Sequence, residues 1–344
     1  MSKQFRIAVI GAGVMGRDHI RYIGNEERAV LAGIADPMPA AAELAQSLGV
    51  PFFEDHKKMM DELKPDGVII ASPNKLHIPQ GYDALERGIP TLIEKPISDD
   101  LDEAREYARA VEAKGLPVLV GQHRRHNPMV QKAKEIISAG MLGQIVSVSL
   151  HYMIYKPDNY YDIEWRRRKG AGPILVNMVH DVDLMRYLIG EITELQAMIA
   201  NKARGFEVED TAVVNMRFDT GTIGSITLSD AGVSPWSWEA TARENPFFAP
   251  ESGDCYYIAG TKAGLTLPQL KLWHYKGINS WSEPLACEKQ AVKPGLPHVL
   301  QLKHFCDVLE GKAKPIVTPD DAIRSVAALT AIKTAAEQGG TYTL

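Results

Sequence analysis

The chain has 344 residues, of which 45% are apolar and 24% charged, and a formal net charge of −5. That length is enough for two domains, and that composition excludes a disordered chain. Acidic side chains outnumber basic ones, 43 to 38, which leaves no electrostatic footprint for nucleic acid.

Cys255, Cys287 and Cys306 have no metal-ligand spacing, and their odd number gives no disulfide framework. A reducing cytoplasm fits them best. The N-terminal "MSKQFRIAVIG" runs almost directly into an apolar strand and lacks the marks of a secretion signal. No apolar run approaches the roughly 20 residues of a membrane span.

Residues 1–121 alternate short strands and helices. "FRIAVIG" is a continuous apolar strand, as in a parallel sheet covered on both faces. A helix follows from about Met15, then strand "VLAGIAD", helix "AAAELAQSLG", strand "DGVIIAS", helix "IPQGYDALERG", strand "PTLIEK", helix "LDEAREYARAVEAKG" and strand "PVLVGQ". Repeated βα units of this length predict a doubly wound parallel sheet. Residues 122–344 have a different rhythm. After a helix from about Pro128 to Ala139 come long segments such as "QIVSVSLHYMIY", "ITELQAMIANKA", "DTAVVNMRFD" and "TIGSITLSD". Several of these alternate apolar and polar residues, which predicts a large, mostly antiparallel sheet with unlike faces, hence an α+β domain. Helices are expected to start near Gly172, Pro297 and Pro319. A sheet face without helices on it would be a natural surface for a homodimer or homotetramer.

"GAGVMG" sets Gly11, Gly13 and Gly16 in the G-x-G-x-x-G spacing between a strand and a helix. In such a loop the first glycine permits the turn, the second lets backbone approach a pyrophosphate, and the third lets helix and strand pack closely. The phosphates would meet the helix N-terminus around Gly13, Val14 and Met15. Asp36 closes the second strand, where a carboxylate binds ribose hydroxyls and repels a 2′-phosphate; no arginine or lysine immediately follows it. The expected cofactor is therefore NAD rather than NADP. "TLIEKP" puts Glu94, Lys95 and Pro96 at a strand's carboxyl end, where ligands of such sheets bind.

The order "GAGVMG", "ASPNKLH", "EKP" and then an α+β half resembles the Gfo/Idh/MocA family of sugar- and inositol-dehydrogenase-like oxidoreductases, over essentially the whole chain. The resemblance implies an N-terminal Rossmann domain and an oligomerising C-terminal domain. It implies that Lys95 meets substrate and nicotinamide across an often cis Lys–Pro bond, with Glu94 beside it. It also implies that Ser72, Pro73, Asn74 and His77 lie near the cofactor. "GQHRRHNP" matches the family's G-F-N-R-R-F-D-P, carrying Arg124 and, in place of an asparagine, His123. Trp165 and Arg166 match a W-R pair near the nicotinamide end.

"LVNMVHDVD" reads as one helix at about 100° per residue. Leu175, Met178, Val182, Met185 and Ile189 fall on one side as a core stripe, while Asn177, His180, Leu184 and Tyr187 fall roughly opposite, with Asp183 at the edge. His180 matches the family's catalytic histidine. Val176 stands where many relatives have an aspartate, and Asn177 is the nearest polar substitute.

These residues imply an NAD-dependent dehydrogenase of a secondary hydroxyl on a sugar, polyol or cyclic diol. His180 would be the general base, Lys95 would stabilise the alkoxide, and Asn177, Arg124, His123 and Asp183 would contact substrate. The basic groups of "HRRH" and Arg166 would suit an acidic substrate, or serve the cofactor, or be solvated. Two alternatives share the scaffold: an NAD-retaining glycoside-cleaving or epimerising enzyme, and a dinucleotide-sensing regulator. In "SPWSWEATARENPFFAP", Trp236 and Trp238 would stack on a sugar ring or pack in a hairpin or subunit contact.

Overall fold

The computed structural model describes residues 4–344; Met1 to Lys3, where the segment read above as lacking a leader begins, lie outside the described residues. By its internal contacts the chain forms two units. One runs up to His126 and regains Gly295–Val326; the other is Asn127–Pro294 with Ala327–Leu344. The sequence reading has a single cut after residue 121 and no return to the first unit.

The first unit contains, in chain order, β1 (Phe5–Ile10), α1 (Val14–Gly24), β2 (Ala29–Ala35), α2 (Pro39–Leu48), β3 (Phe52–Phe53), α3 (His56–Leu63), β4 (Gly67–Ile70), α4 (His77–Glu86), β5 (Thr91–Ile93), α5 (Leu101–Lys114) and β6 (Val118–Val120). The strands form one parallel sheet in the order β3-β2-β1-β4-β5-β6. Ile7, Val9, Ile69 and Leu92 are wholly buried, as expected where helices cover both faces. Local chemistry sets the helix ends. Asp100 caps α5 by accepting from the amides of Asp102 and Glu103, and Gly115 ends it at φ 64°. Helix α3 escaped the sequence reading, although Asp55 caps it through Lys58 N–H; its short run "HKKMMDEL" shows only one turn of apolar pattern. The order reverses between β1 and β4, so a ligand crevice is expected beyond their carboxyl ends.

The second unit holds α6 (Pro128–Ser138), β7 (Ile145–Met153), α7 (Pro173–Val176), α8 (Met178–Ile189), β8 (Ile192–Ala200), β9 (Thr211–Phe218), β10 (Ile223–Ser229), α9 (Trp238–Thr241), β11 (Tyr256–Gly260), β12 (Ala263–Leu267), β13 (Lys271–His274) and β14 (Ala286–Lys289). Then α10 (Pro297–Leu309) and the first turns of α11 (Pro319–Gln338) fall in the first unit. The rest of α11 and β15 (Tyr342–Thr343) complete the second. Its nine strands are ordered β14-β13-β12-β11-β7-β10-β9-β8-β15. All pairs are antiparallel except β7 with β10. Along β9, Ala212, Val214, Met216 and Phe218 are buried while Val213, Asn215 and Arg217 are exposed, the alternation expected of a sheet covered on one side. Met198, Ile223, Tyr257 and Trp273 are among its exposed large apolar side chains.

Helix α10 was grouped with the second half by sequence order. Its Leu302, Phe305 and Cys306 instead join the core of the first unit. Phe305 packs where Gly67 of β4 leaves room, since a Cβ there would lie 3.0 Å from its ring. No helix among the described residues is long and apolar enough to cross a membrane.

Candidate active site

Each unit carries its own set of candidate residues. In the first unit the glycine loop follows β1. Gly11 has φ 90°, a conformation that favours glycine, and its N–H donates to Ala35 O at 2.8 Å. A Cβ on Gly11 would meet Ala71 backbone at 2.7 Å, and one on Gly16 would meet Gly11 O at 1.9 Å. Gly13 differs: nothing lies within 4 Å of where its Cβ would be, and no side chain caps α1. Val14, beside it, is 82% exposed. The open backbone at an uncapped helix start fits a pyrophosphate. Asp36 sits just past β2; its carboxylate accepts from Ala12 N–H at 2.7 Å and Met38 N–H at 2.8 Å. A carboxylate offers about four lone-pair sites, so capacity remains for ribose hydroxyls.

The loops after β4 and β5 are tied together by His77. Its Nδ1 lies 2.8 Å from Pro96 O and its Nε2 2.8 Å from Ser72 O. A carbonyl only accepts, so a neutral ring donates to one of them at a time. Ser72 Oγ donates to Gln80 at 2.6 Å, Pro73 is exposed, and Asn74 reaches Asp99 at 3.3 Å. After β5, Glu94 is buried and pairs with His19 of α1 at 2.7 Å, and it accepts from Lys95 N–H at 3.2 Å. Burial would raise the Glu94 carboxyl, but the His19 bond and the nearby His19, His298 and His123 rings outweigh it and hold it down to about 2. Lys95 is half-buried, and its bond to Pro96 is cis.

The "HRRH" run forms a tight turn at residues 123–126 rather than an open basic patch. His123 stacks on His298 of α10 with ring centres 4.0 Å apart. Arg124 is buried. Arg125 is held by Asp321 through both guanidinium nitrogens, one of them at 3.1 Å, so its charge is already matched. His126 lies against His304, with centres 5.1 Å apart.

Burial, then the positive fields of His304, His123, Arg125 and His298, push His126 from its ordinary 6.5 down to about 3. Below pH 6.5 the unfolded chain therefore takes a proton here that the folded chain refuses, and stability falls with pH by about 1.4 kcal/mol per unit until pH 3. From pH 6.5 to 5 the expected loss is about 2 kcal/mol from this residue alone. Urea unfolding at a series of pH values should show it, and His126→Phe should flatten that slope.

In the second unit the predicted single helix is broken. α7 and α8 are joined at Asn177, which has φ −110° and ψ −49°. Gly172, before α7, leaves room for Glu209, whose carboxylate would lie 2.1 Å from a Cβ and accepts from Ile174 N–H at 3.2 Å. The two-faced reading of α8 does not hold. Leu184, placed on the polar side, is wholly buried in the core, and His180, Asp181, Asp183 and Arg186 are buried too. A helix wrapped on all sides keeps no wet face for periodicity to report. Asp181 accepts from Tyr256 Oη at 2.5 Å. Asn177 is half-buried, and its Oδ1 accepts from Lys156 Nζ at 2.8 Å. Trp165 is 56% exposed, and Arg166 stacks 4.1 Å from the Tyr160 ring centre while donating to Tyr160 O at 2.9 Å. Trp238 is buried and donates to Glu244 at 2.7 Å, whereas Trp236 is 48% exposed.

Sequence reasoning missed Lys156, Tyr161, Arg204 and Asp230, which cluster beyond the ends of β7, β8 and β10. The one visible signal was that Lys156 and Asp230 each follow a long strand closely. The parallel pairing of β7 with β10 brings those strand ends together, and strand order is not written in local pattern.

Residues 5–122 match the family described as an oxidoreductase family with an NAD-binding Rossmann fold, and residues 130–266 match the GFO/IDH/MocA C-terminal domain. The chain is 28% identical over 277 residues to the rhizopine catabolism protein MocA of Rhizobium meliloti, covering 76% of this chain and 84% of that protein. It is 26% identical over 331 residues to scyllo-inositol 2-dehydrogenase (NAD(+)) of Bacillus subtilis, covering 94% and 91%. Among solved structures, the WlbA dehydrogenase from Bordetella pertussis, in complex with NADH and UDP-GlcNAcA, superposes with a TM-score of 0.76 at 26% identity over 99% of each chain. Both parts of the chain thus match one family in order, and the chain belongs to the GFO/IDH/MocA oxidoreductases, with an NAD-binding Rossmann fold at its N-terminal side.

Proposed function

We propose that this oxidoreductase is an NAD-dependent dehydrogenase of a secondary hydroxyl on a sugar, polyol or related cyclic diol. The observation that carries it is the glycine loop. Gly13 leaves the start of α1 open, and Asp36 stands beside the loop with its carboxylate fixed by Ala12 and Met38 amides. The similarity to an inositol dehydrogenase supports the substrate class. Bound NAD supplies the hydride acceptor. His180 takes the hydroxyl proton, Lys95 stabilises the oxygen as its charge grows, and Asn177 orients the substrate. The exposed apolar side chains of the second unit's sheet support self-association through that face.

The test is NADH formation, followed by absorbance, over sugars, inositols, sugar acids and cyclic dihydrodiols at matched NAD and NADP. Reduction of NAD by one of these classes is expected; no reduction with any of them removes the reading. A companion variant checks the cofactor. Asp36→Asn keeps an acceptor for Ala12 N–H and removes the charge. It should raise the KM for NAD by about tenfold and narrow the preference over NADP, since hydrogen bonds to a charged group contribute about 1.5–3 kcal/mol.

A further inference from the structure

Beyond the ends of β7, β8 and β10, one carboxylate gathers three donors. Asp230 is 2% exposed and accepts from Lys156 Nζ at 3.2 Å, Tyr161 Oη at 2.6 Å and Arg204 Nε at 3.3 Å. Arg204 braces the same loops, donating to Lys156 O at 2.7 Å and Asp230 O at 2.5 Å. This network fixes the Lys156 ammonium, which lies 5.0 Å from the Tyr160 ring centre and donates to Asn177 Oδ1 at 2.8 Å. Burial lowers the Lys156 pKa, against the pull of Asp230.

An ammonium has donors and no acceptor. The amide oxygen of Asn177 must therefore face Lys156, and its Nδ2, with two N–H groups, is the other end. Among the described residues no acceptor holds that Nδ2. Asn177 is the break between α7 and α8, and its own carbonyl accepts from His180 N–H at 3.4 Å. A carboxylate in this place would only accept; an amide held this way donates.

We infer that Lys156 is a positioning residue: by holding Asn177 Oδ1 it makes Asn177 a hydrogen-bond donor to substrate, so the group recognised there is an oxygen that accepts. This rests on the hydroxyl-oxidation reading, and the test separates the two. In 15N-labelled protein the Asn177 side-chain amide pair is identified by its loss in Asn177→Ala. In the wild type it should shift as Lys156 loses its proton at alkaline pH. In Lys156→Met it should be displaced and should no longer follow that titration. An unchanged amide pair in Lys156→Met overturns the inference whether or not any substrate is turned over.

Turnover gives the second arm. Lys156→Met and Asn177→Ala should each lower kcat/KM about tenfold or more, and the double variant should be no worse than the worse single one. Independent, multiplying losses overturn the inference, while Lys156→Arg, which restores a donor, should recover part of the rate. Should Lys156→Met fail to fold, Asn177→Asp decides. It keeps a partner for Lys156 and loses the N–H donor, so wild-type kcat/KM in it overturns the inference. No turnover in the wild type defeats the hydroxyl-oxidation reading alone, because the amide arm still stands.

Discussion

His180→Ala is expected to lower kcat by about 10²–10⁴-fold, the usual contribution of a positioned general base, while NADH binding measured by fluorescence titration stays close to wild type. His180 is carried by α8, whereas the glycine loop and Asp36 that would hold the dinucleotide belong to the first unit. Loss of the imidazole would remove the proposed proton acceptor and leave the sequence of that loop unchanged. The buried surroundings of α8 also mean that truncation leaves a hole. Unfolding should be followed in parallel, and His180→Gln serves as the closer match in volume. Lys95→Met should show a similar pattern, falling about 10²–10³-fold in kcat as expected when one preorganised donor to a developing oxyanion is removed. Its stem is half-buried beside Glu94 and Pro96, and methionine keeps most of that packing. Near-normal turnover in either variant takes that residue out of the mechanism.

Gly16→Ala is expected to abolish detectable dinucleotide binding and to destabilise the first unit by about 3 kcal/mol or more, at or beyond the upper end of ordinary overpacking. The added Cβ would lie 1.9 Å from Gly11 O and 2.9 Å from Gly11 C. Both are backbone atoms, so no side chain can swing away, and α1 itself must lift from β1. Gly13→Ala makes the contrast. Nothing lies within 4 Å of its new Cβ, so melting should be unchanged, yet NAD affinity should fall because the methyl occupies the open approach. Calorimetry with and without NAD separates the two outcomes: a lost fold in the first, a lost ligand in the second. If Gly13→Ala binds NAD normally, the pyrophosphate does not approach there.

The acid sensitivity of His126, the Lys156–Asn177 contact and the membership of α10 share one feature: each depends on residues far apart in the chain. Burial first, and then charges that include His304 and His298 of α10, lower the His126 pKa. Lys156 and Asp230 are 74 residues apart and form an ion pair at 3.2 Å. No periodicity or spacing links such positions. The alternation in β9, by contrast, was legible because half its side chains face the core and half do not.

Local physics alone determined a good deal about this protein. Glycine spacing between a strand and a helix, runs of buried β-branched residues, alternation in the second sheet and the Asp–Gly bounds of α5 each act within a few residues, so they are written where they act. Tertiary structure alone decided that the chain returns to its first unit at Gly295, that β7 and β10 lie parallel, and that α8 has no wet face. It also decided that Asn177 breaks the helix and turns its oxygen to Lys156. The physical reason is that burial and charge pairing depend on what surrounds a side chain in three dimensions, while sequence pattern records only which side of its own element a residue occupies.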